Sequence, residues 1–167
     1  QSIATVEELA QFGARTVRVI QSTQAVVADL ELARELGCEG GTRWQRISSL
    51  RMDGTSKTLP ICWTDLYVDA AHSDITKLVR KSPEVLISSL IEERYGRAIA
   101  RIRQEISSVC LTPELAGPLQ AEVGSPALKI MRRYIDAAGD VFEISRSIHP
   151  ASRFTFCIEM SRARDAS

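Results

Sequence analysis

Residues 12–53 read FGARTVRVIQSTQAVVADLELARELGCEGGTRWQRISSLRMD, and residues 95–136 read YGRAIARIRQEISSVCLTPELAGPLQAEVGSPALKIMRRYID. Shifted by 83 positions, the two stretches lie on each other without a gap and are identical at 12 of 42 positions. The identities include Gly13/Gly96, Arg18/Arg101, Glu31/Glu114, Leu32/Leu115, Ala33/Ala116, Leu36/Leu119, Gly41/Gly124 and Asp53/Asp136. A solenoid stacks many units of about 20 to 50 residues, whereas a long period used twice describes one pseudo-symmetric domain. Concave surface arises at the seam between related halves, so positions that differ between them are the candidates for function.

Each half carries the same succession of local signals. Val6 to Phe12 and Val85 to Tyr95 have helical periodicity and stop at Gly13 and Gly96, where glycine permits the left-handed turn that ends a helix. Strands are expected over Thr16 to Gln21 and Ile99 to Ser107, with β-branched residues on alternate sites. Asp29 and Thr112 then stand as N-caps, with Pro113 at the first helical position, where its missing N–H costs nothing. Leu32, Ala33 and Leu36, like Leu115, Ala116 and Leu119, form the apolar stripe of a short helix. Period two returns in Trp44 to Met52 and Ala127 to Ile135, and turns at Asp53-Gly54 and Asp136 to Gly139 lead back into Pro60 to Val68 and Val141 to His149. The first turn continues through the longer loop Thr55 to Leu59. A last strand is expected over Phe154 to Ser161, and Arg162 to Ser167 read as a frayed tail. Hairpins joined by short helices predict an α+β domain with a mostly antiparallel sheet, the helices covering one face and the seam. No low-complexity linker divides the chain, so residues 1–167 are read as a single domain.

Composition narrows the function classes. Lys plus Arg and Asp plus Glu number 21 each, and that balance argues against this chain gripping nucleic acid by itself. Cys38, Cys62, Cys110 and Cys157 lie far apart with no C-x-x-C spacing and mostly in apolar company, and read as reduced core residues of a cytoplasmic protein. No apolar run is long enough for a membrane span, and the first residues carry neither a basic nor an apolar leader pattern. The start at Gln1 rather than Met suggests a piece of something longer.

Phosphate-loop, nucleophile-elbow and zincin motifs are absent, and two histidines without paired cysteines leave little for a transition metal. No catalytic residue, cofactor or metal ligand is therefore assigned. Trp44 and Trp63 read as core. Of Arg132-Arg133, on opposite faces of a strand, one is expected to be a structural ion-pair partner and the other solvated. The polar cluster that stands out is Glu143, Ser145 and His149, since 143, 145, 147 and 149 share one face of a strand. Arg51 is their natural counterpart, and together they suit a small polar ligand. The plain alternative is a solvated polar face with an ordinary salt bridge.

The order helix, strand, A-x-x-L-x-x-x-x-G, strand, turn, strand, followed by L-x-x-x-Y-G, strand and E-L-A-x-x-L-x-x-x-x-G-S-P-A-L-x-I-x-R-R-Y-x-D-x-x-G-x-x-x-E-x-S-x-S-x-H, resembles the UTRA effector-binding domain. That domain is the C-terminal half of GntR-type bacterial transcription regulators of the HutC subfamily. The resemblance implies a chorismate lyase-like fold of two pseudo-repeated halves, a homodimer, a small-molecule effector, and operator DNA contacted only through a winged helix upstream, with repression the usual outcome. It also keeps open an alternative, an enzyme of the chorismate lyase type acting on a small carboxylate.

Sugar-phosphate sensors of the family use an R-x-R pair that falls here on Ser49 and Arg51, or on Arg46 and Ser48 in a second register. A family glutamate falls on Thr64, and the phosphate-holding S-L-Y falls on Leu86, Ile87 and Ser88. A later glutamate is kept as Glu143, and a family tyrosine becomes His149. The resemblance therefore implies an effector less anionic than a sugar phosphate: a small organic acid, an amino-acid derivative or an imidazole-type metabolite. Its carboxylate would meet Arg51, hydroxyl contacts would come from Ser49, Thr64, Ser88 and Ser145, and Glu143 with His149 would take a donor-bearing group.

Overall fold

The computed structural model describes residues 16–53 and 59–163. Through them the chain runs β1 (Thr16–Val27), α1 (Leu30–Leu36), β2 (Arg43–Asp53), β3 (Pro60–Asp69), α2 (Ile75–Lys81), α3 (Ile87–Tyr95), β4 (Arg101–Cys110), α4 (Pro113–Leu119), β5 (Pro126–Ile135) and β6 (Val141–Pro150). The expected first helix, Gly54, residues 55–58 and the tail beyond 163 lie outside the described residues.

One six-stranded sheet holds the domain together, in the order β1-β2-β3-β6-β5-β4, and every neighbouring pair is antiparallel. Read from either edge inwards, the order is first, second and third strand of one half, so a pseudo-twofold axis passes between β3 and β6. The shift of 83 carries α1 onto α4 at both ends. Local chemistry repeats less strictly. Asp29 Oδ1 accepts the Leu32 amide at 2.8 Å, whereas Thr112 makes no side-chain cap and Pro113 begins α4 instead. After α1 the left-handed position is Gly37 (φ 73), and its counterpart after α4 is Gln120 (φ 51). The Asp136 turn is closed by its own carboxylate, which accepts the amides of Ala138 at 3.0 Å and Asp140 at 2.9 Å.

Helices cover both faces of the sheet rather than the one expected. On the first face, Ile75, Val79, Ile87, Leu90 and Ile91 of α2 and α3 pack on Ile47, Leu66, Val68 and Phe142. On the second, α1 buries Ala33 and Leu36 with Trp44, Tyr67, Met131 and Ile144, and α4 buries Leu119 with Ala127 and Ile148. The reason lies in the central strands. Leu66 and Val68 point one way and Tyr67 the other, so both sides of β3 are apolar and each requires a cover. Each large aliphatic side chain so buried contributes about 1.5–3 kcal/mol. Trp44 joins the core as expected, and Trp63 is half-buried with its indole N–H on Asp65 at 3.1 Å. Of the four cysteines expected in the core only Cys62 is fully buried; Cys110, at the end of edge strand β4, and Cys157, beyond the last sheet strand, are exposed.

The strand expected over Phe154 to Ser161 does not form; Cys157 makes an isolated bridge, with Ile158 51% and Met160 90% exposed. Both neighbours of β6 are already taken by β3 and β5, so a strand following directly has no vacant edge beside it. A 3-10 turn at Ala151–Arg153 leads the chain away, with Arg153 bonding the carbonyls of Pro60, Leu119 and Gln120.

Candidate functional site

On the face covered by α2 and α3, side chains two residues apart along each strand line up in transverse rows. Arg18, Arg51 and Cys62 are successive cross-strand partners in β1, β2 and β3. The next row is Ser49, Thr64 and Ser147. After it come Leu66, Ser145, Arg132 and Gln104, and then Glu143 with Tyr134. His149 extends β6 beyond the hydroxyl row. These rows floor a cavity of about 50 Å³ that straddles the pseudo-twofold seam, and Leu86, Ile87 and Ser88 at the start of α3 close it from above. Space of that size holds a few waters.

The polar atoms here are far from solvent. Glu143 is 1% exposed, His149 3%, Ser49, Ser145 and Ser147 4%, and Ser88 5%, which overturns the plain alternative of a solvated face. Thr64 and Ser147 hydroxyls bond each other at 2.9 Å, and Arg51 Nη1 donates to Thr16 Oγ1 at 2.6 Å. Other groups have no hydrogen-bond partner among the described residues: Glu143 Oε1, Ser145 Oγ, and both ring nitrogens of His149. Burial pushes the Glu143 carboxyl up to about 8, with the charge of Arg18 opposing the rise. It pushes His149 down to about 3, and Arg132 and Arg51 act in the same direction. Tyr134 is held up at about 12 and the Cys62 thiol is raised, both by burial first. At neutral pH the cavity therefore combines a protonated acid, a neutral imidazole, neutral hydroxyls and arginines.

Arg18 ties the cover down. Its guanidinium donates to the carbonyls of Val85 at 2.9 Å, Ser82 at 3.1 Å and Val79 at 3.4 Å, and its amide donates to Pro83 O at 3.0 Å. These carbonyls include the end of α2, which stops at Ser82 without a glycine. Burial followed by the neighbouring Arg51 lowers the Arg18 guanidinium to about 10.

The family model of the UTRA domain matches residues 13–155. This chain belongs to the UTRA domain family. Solved structures agree in fold. The effector domain of PhnF from Mycobacterium smegmatis superposes with a TM-score of 0.77 at 20% identity, over 97% of this chain and 99% of that one. A GntR-family transcriptional regulator from Bacillus cereus gives 0.74 at 17% identity, over 88% and 99%. One from Enterococcus faecalis V583 gives 0.70 at 18%, over 86% and 99%.

In this UTRA domain, Ser49, Arg51, Thr64, Ser88, Glu143, Ser145 and His149 all line one cavity. The second register is excluded by direction, since Arg46 bonds Gln24 at 2.6 Å and Ser48 bonds Asp65 at 2.6 Å on the opposite side of β2. Two details differ from expectation. Glu143 and His149 are six residues apart on β6, about 20 Å of strand, and occupy opposite ends of the cavity rather than sharing one ligand group. Arg132 is not solvated: it is 8% exposed and lines the UTRA cavity, while Arg133 is the structural partner, paired with Glu105 at 2.9 Å and capping Leu36 O at 2.8 Å.

Sequence reasoning also missed Arg18 and Tyr134. Period two gave a signal for Arg132, since Ile130 and Tyr134 flank it on an apolar face. Nothing near Arg18 announced that the α2–α3 connector would lie over it. No group of three or more His, Cys, Asp or Glu stands close enough to hold a metal among the described residues.

Proposed function

We infer that this UTRA domain is the sensor of a GntR-type transcriptional regulator of the HutC subfamily: a small organic acid, amino-acid derivative or imidazole-type metabolite fills the seam cavity, and the regulator's grip on operator DNA changes. The observation that carries this reading is the set of partnerless buried polar atoms, Glu143 Oε1, Ser145 Oγ and the two nitrogens of His149, gathered in one cavity. A buried polar group without a partner costs about 1–3 kcal/mol. A fold that keeps several of them together has a site that a polar ligand satisfies. Arg51 adds positive charge that favours an acidic ligand in the cavity, with Ser49, Thr64, Ser88 and Ser145 as hydroxyl contacts. Glu143, protonated at neutral pH, offers both a donor and an acceptor.

A cavity of about 50 Å³ admits a metabolite only as the start of α3 and its connector yield. Occupancy and shape change are then one event, as a sensor requires, because a ligand shifts an equilibrium only through different affinity for its two states. The DNA reader is a winged helix upstream, the regulator is a cytoplasmic homodimer that represses, and operator DNA lowers effector affinity by the same factor that effector lowers DNA affinity. No described helix is long and apolar enough to cross a membrane.

A thermal-shift screen of this chain against metabolites tests the reading. A ligand at 100 times its dissociation constant adds about 2.7 kcal/mol of stability. Stabilisation by a carboxylate or imidazole compound, lost in Glu143→Gln and Arg51→Gln, is the expected result. Tight saturable binding of a hexose 6-phosphate would overturn the effector class, and the absence of any stabilising metabolite would overturn the sensor.

A further inference from the structure

We propose that Arg132 and His149 are the anion receptor of this cavity, that the group they receive is a carboxylate, and that His149 takes up a proton as the carboxylate enters. The proposal rests on the sensor reading and adds the effector's binding chemistry and its proton linkage.

Arg132 is 8% exposed and makes no ion pair among the described residues. Its Nε donates to Gln104 Oε1 at 2.7 Å, which fixes the guanidinium plane and leaves the two terminal nitrogens for the cavity. A guanidinium so buried gains more from an anion than an exposed one does, because it has already lost much of its water. A planar carboxylate matches its fork of donors.

His149 supplies the second half of the receptor. Its ring lies against Phe154, centroids 4.2 Å apart and tilted by 36°, so its plane is set, and neither nitrogen has a partner among the described residues. Burial first, and then the positive charge of Arg132 from β5 and Arg51 from β2, keep the ring neutral in the free protein, where no anion among the described residues stands beside it. The Cys62 thiol on β3 shares the Arg51 row; it is raised by burial and bonded to Thr64 at 3.6 Å, and so stays uncharged. Glu143 stands at the far end of β6. A neutral imidazole has one donor and one acceptor nitrogen, and the acceptor repels a carboxylate oxygen placed on it. A carboxylate among these groups cancels the field of the two arginines, and the ring then gains by carrying a second N–H. One proton moves from solvent to the ring nitrogen; no other bond is made or broken.

The two histidines of the chain, His72 and His149, make the test direct. Imidazole ¹⁵N spectra of the labelled protein, assigned with His72→Gln, would be followed while acetate, succinate, L-glutamate or inorganic phosphate is added. The expected result is a neutral His149 in the free protein and an imidazolium pattern with a saturating carboxylate. Affinity should rise as pH falls from about 7 to 5, a range in which the carboxylate probe stays ionised. Arg132→Gln should weaken binding about 10- to 100-fold, while Arg103→Gln, an exposed control, should not. His149→Gln, which keeps a donor and an acceptor but cannot titrate, should remove the pH slope.

A carboxylate that binds while His149 stays neutral, or that binds Arg132→Gln as it binds the parent, overturns the proposal and leaves the sensor standing. Stabilisation by uncharged metabolites alone, or tighter binding of phosphate than of every carboxylate, does the same. Failure of every probe and every metabolite to bind removes the sensor reading too.

Discussion

The two halves of this domain share one backbone plan and differ where the cavity is. At the shift of 83, Ser49 corresponds to Arg132 and Arg51 to Tyr134, and all four line the cavity. The symmetric sheet thus brings equivalent positions to one seam, and unlike residues at those positions make the site asymmetric: the Ser49 hydroxyl of β2 stands where β5 has the Arg132 guanidinium, and the Arg51 guanidinium of β2 stands where β5 has the Tyr134 phenol. Arg18 and Arg101 teach the converse. They are the same residue at equivalent positions, yet Arg18 is 4% exposed under the α2–α3 connector and Arg101 is exposed. Side-chain identity does not set a role; what packs over the strand does.

The comparison can be broken experimentally. Leu36 and Leu119 are equivalent and both 0% exposed, so Leu36→Ala and Leu119→Ala should each lower unfolding stability in urea by about 2–5 kcal/mol. A large difference between them would show that the halves do not share their stability. Arg18→Met should lower stability by about 2–3 kcal/mol, because the carbonyls of Val79, Ser82 and Val85 lose a charged donor, while Arg101→Met stays within about 0.5 kcal/mol. Hydrogen exchange over residues 79–88 should rise in the first variant alone.

The left-handed positions after α1 and α4 form a sharper pair. A Cβ on Gly37 would meet Arg133 Nη2 at 3.0 Å, and that guanidinium is held by Leu36 O and Glu105, so Gly37→Ala should cost about 1–2 kcal/mol. Gln120→Gly should leave stability unchanged or raise it by up to about 1 kcal/mol. Equal effects at the two sites would mean that the Arg133 clasp does not reach the α1 cap.

The comparison extends to pH. His149, pushed below its ordinary 6.5 to about 3, gives stability that is lost as pH falls. Glu143, pushed above its ordinary 4.5 to about 8, gives stability that is lost as pH rises. Between 4.5 and 6.5 the unfolded chain has a protonated His149 and an ionised Glu143, while the folded chain has the reverse, so each state holds one proton on this pair and its contribution is flat. Stability should fall from 6.5 towards 8 and again from 4.5 towards 3. Glu143→Gln should flatten the alkaline side in a series of urea melts, and an unchanged alkaline slope would place the titrating group elsewhere.

The strands and the paired helices were legible because period two, N-caps and the repeat all spoke for the same elements. The face of β6 was legible because alternation of 143, 145, 147 and 149 is a property of any strand. What the sequence concealed was the layer above. Ile75, Leu78 and Val79 carry a helical stripe, but α2 has no counterpart in the repeat to draw attention to it, and its N-cap residue Asp74 makes no side-chain cap bond. Without α2 and its connector, Arg18 looks like one more polar residue on an edge strand. Arg132 was misjudged for a related reason. An arginine pair in a strand fixes only that the two point apart, and the surroundings on each side are decided by other elements, α1 for Arg133 and Gln104 of β4 with the cavity cover for Arg132.

The seam has a mechanical side as well. The halves share one ladder, Trp63–Val68 against Glu143–Ile148, while β1–β2 and β4–β5 are zipped along nearly their whole length. If the domain were pulled from opposite edges, that short central ladder would be the fuse. A metabolite that grips β2 and β3 on one side and β5 and β6 on the other crosses the fuse, so the event that informs the regulator would also stiffen the molecule at its weakest line.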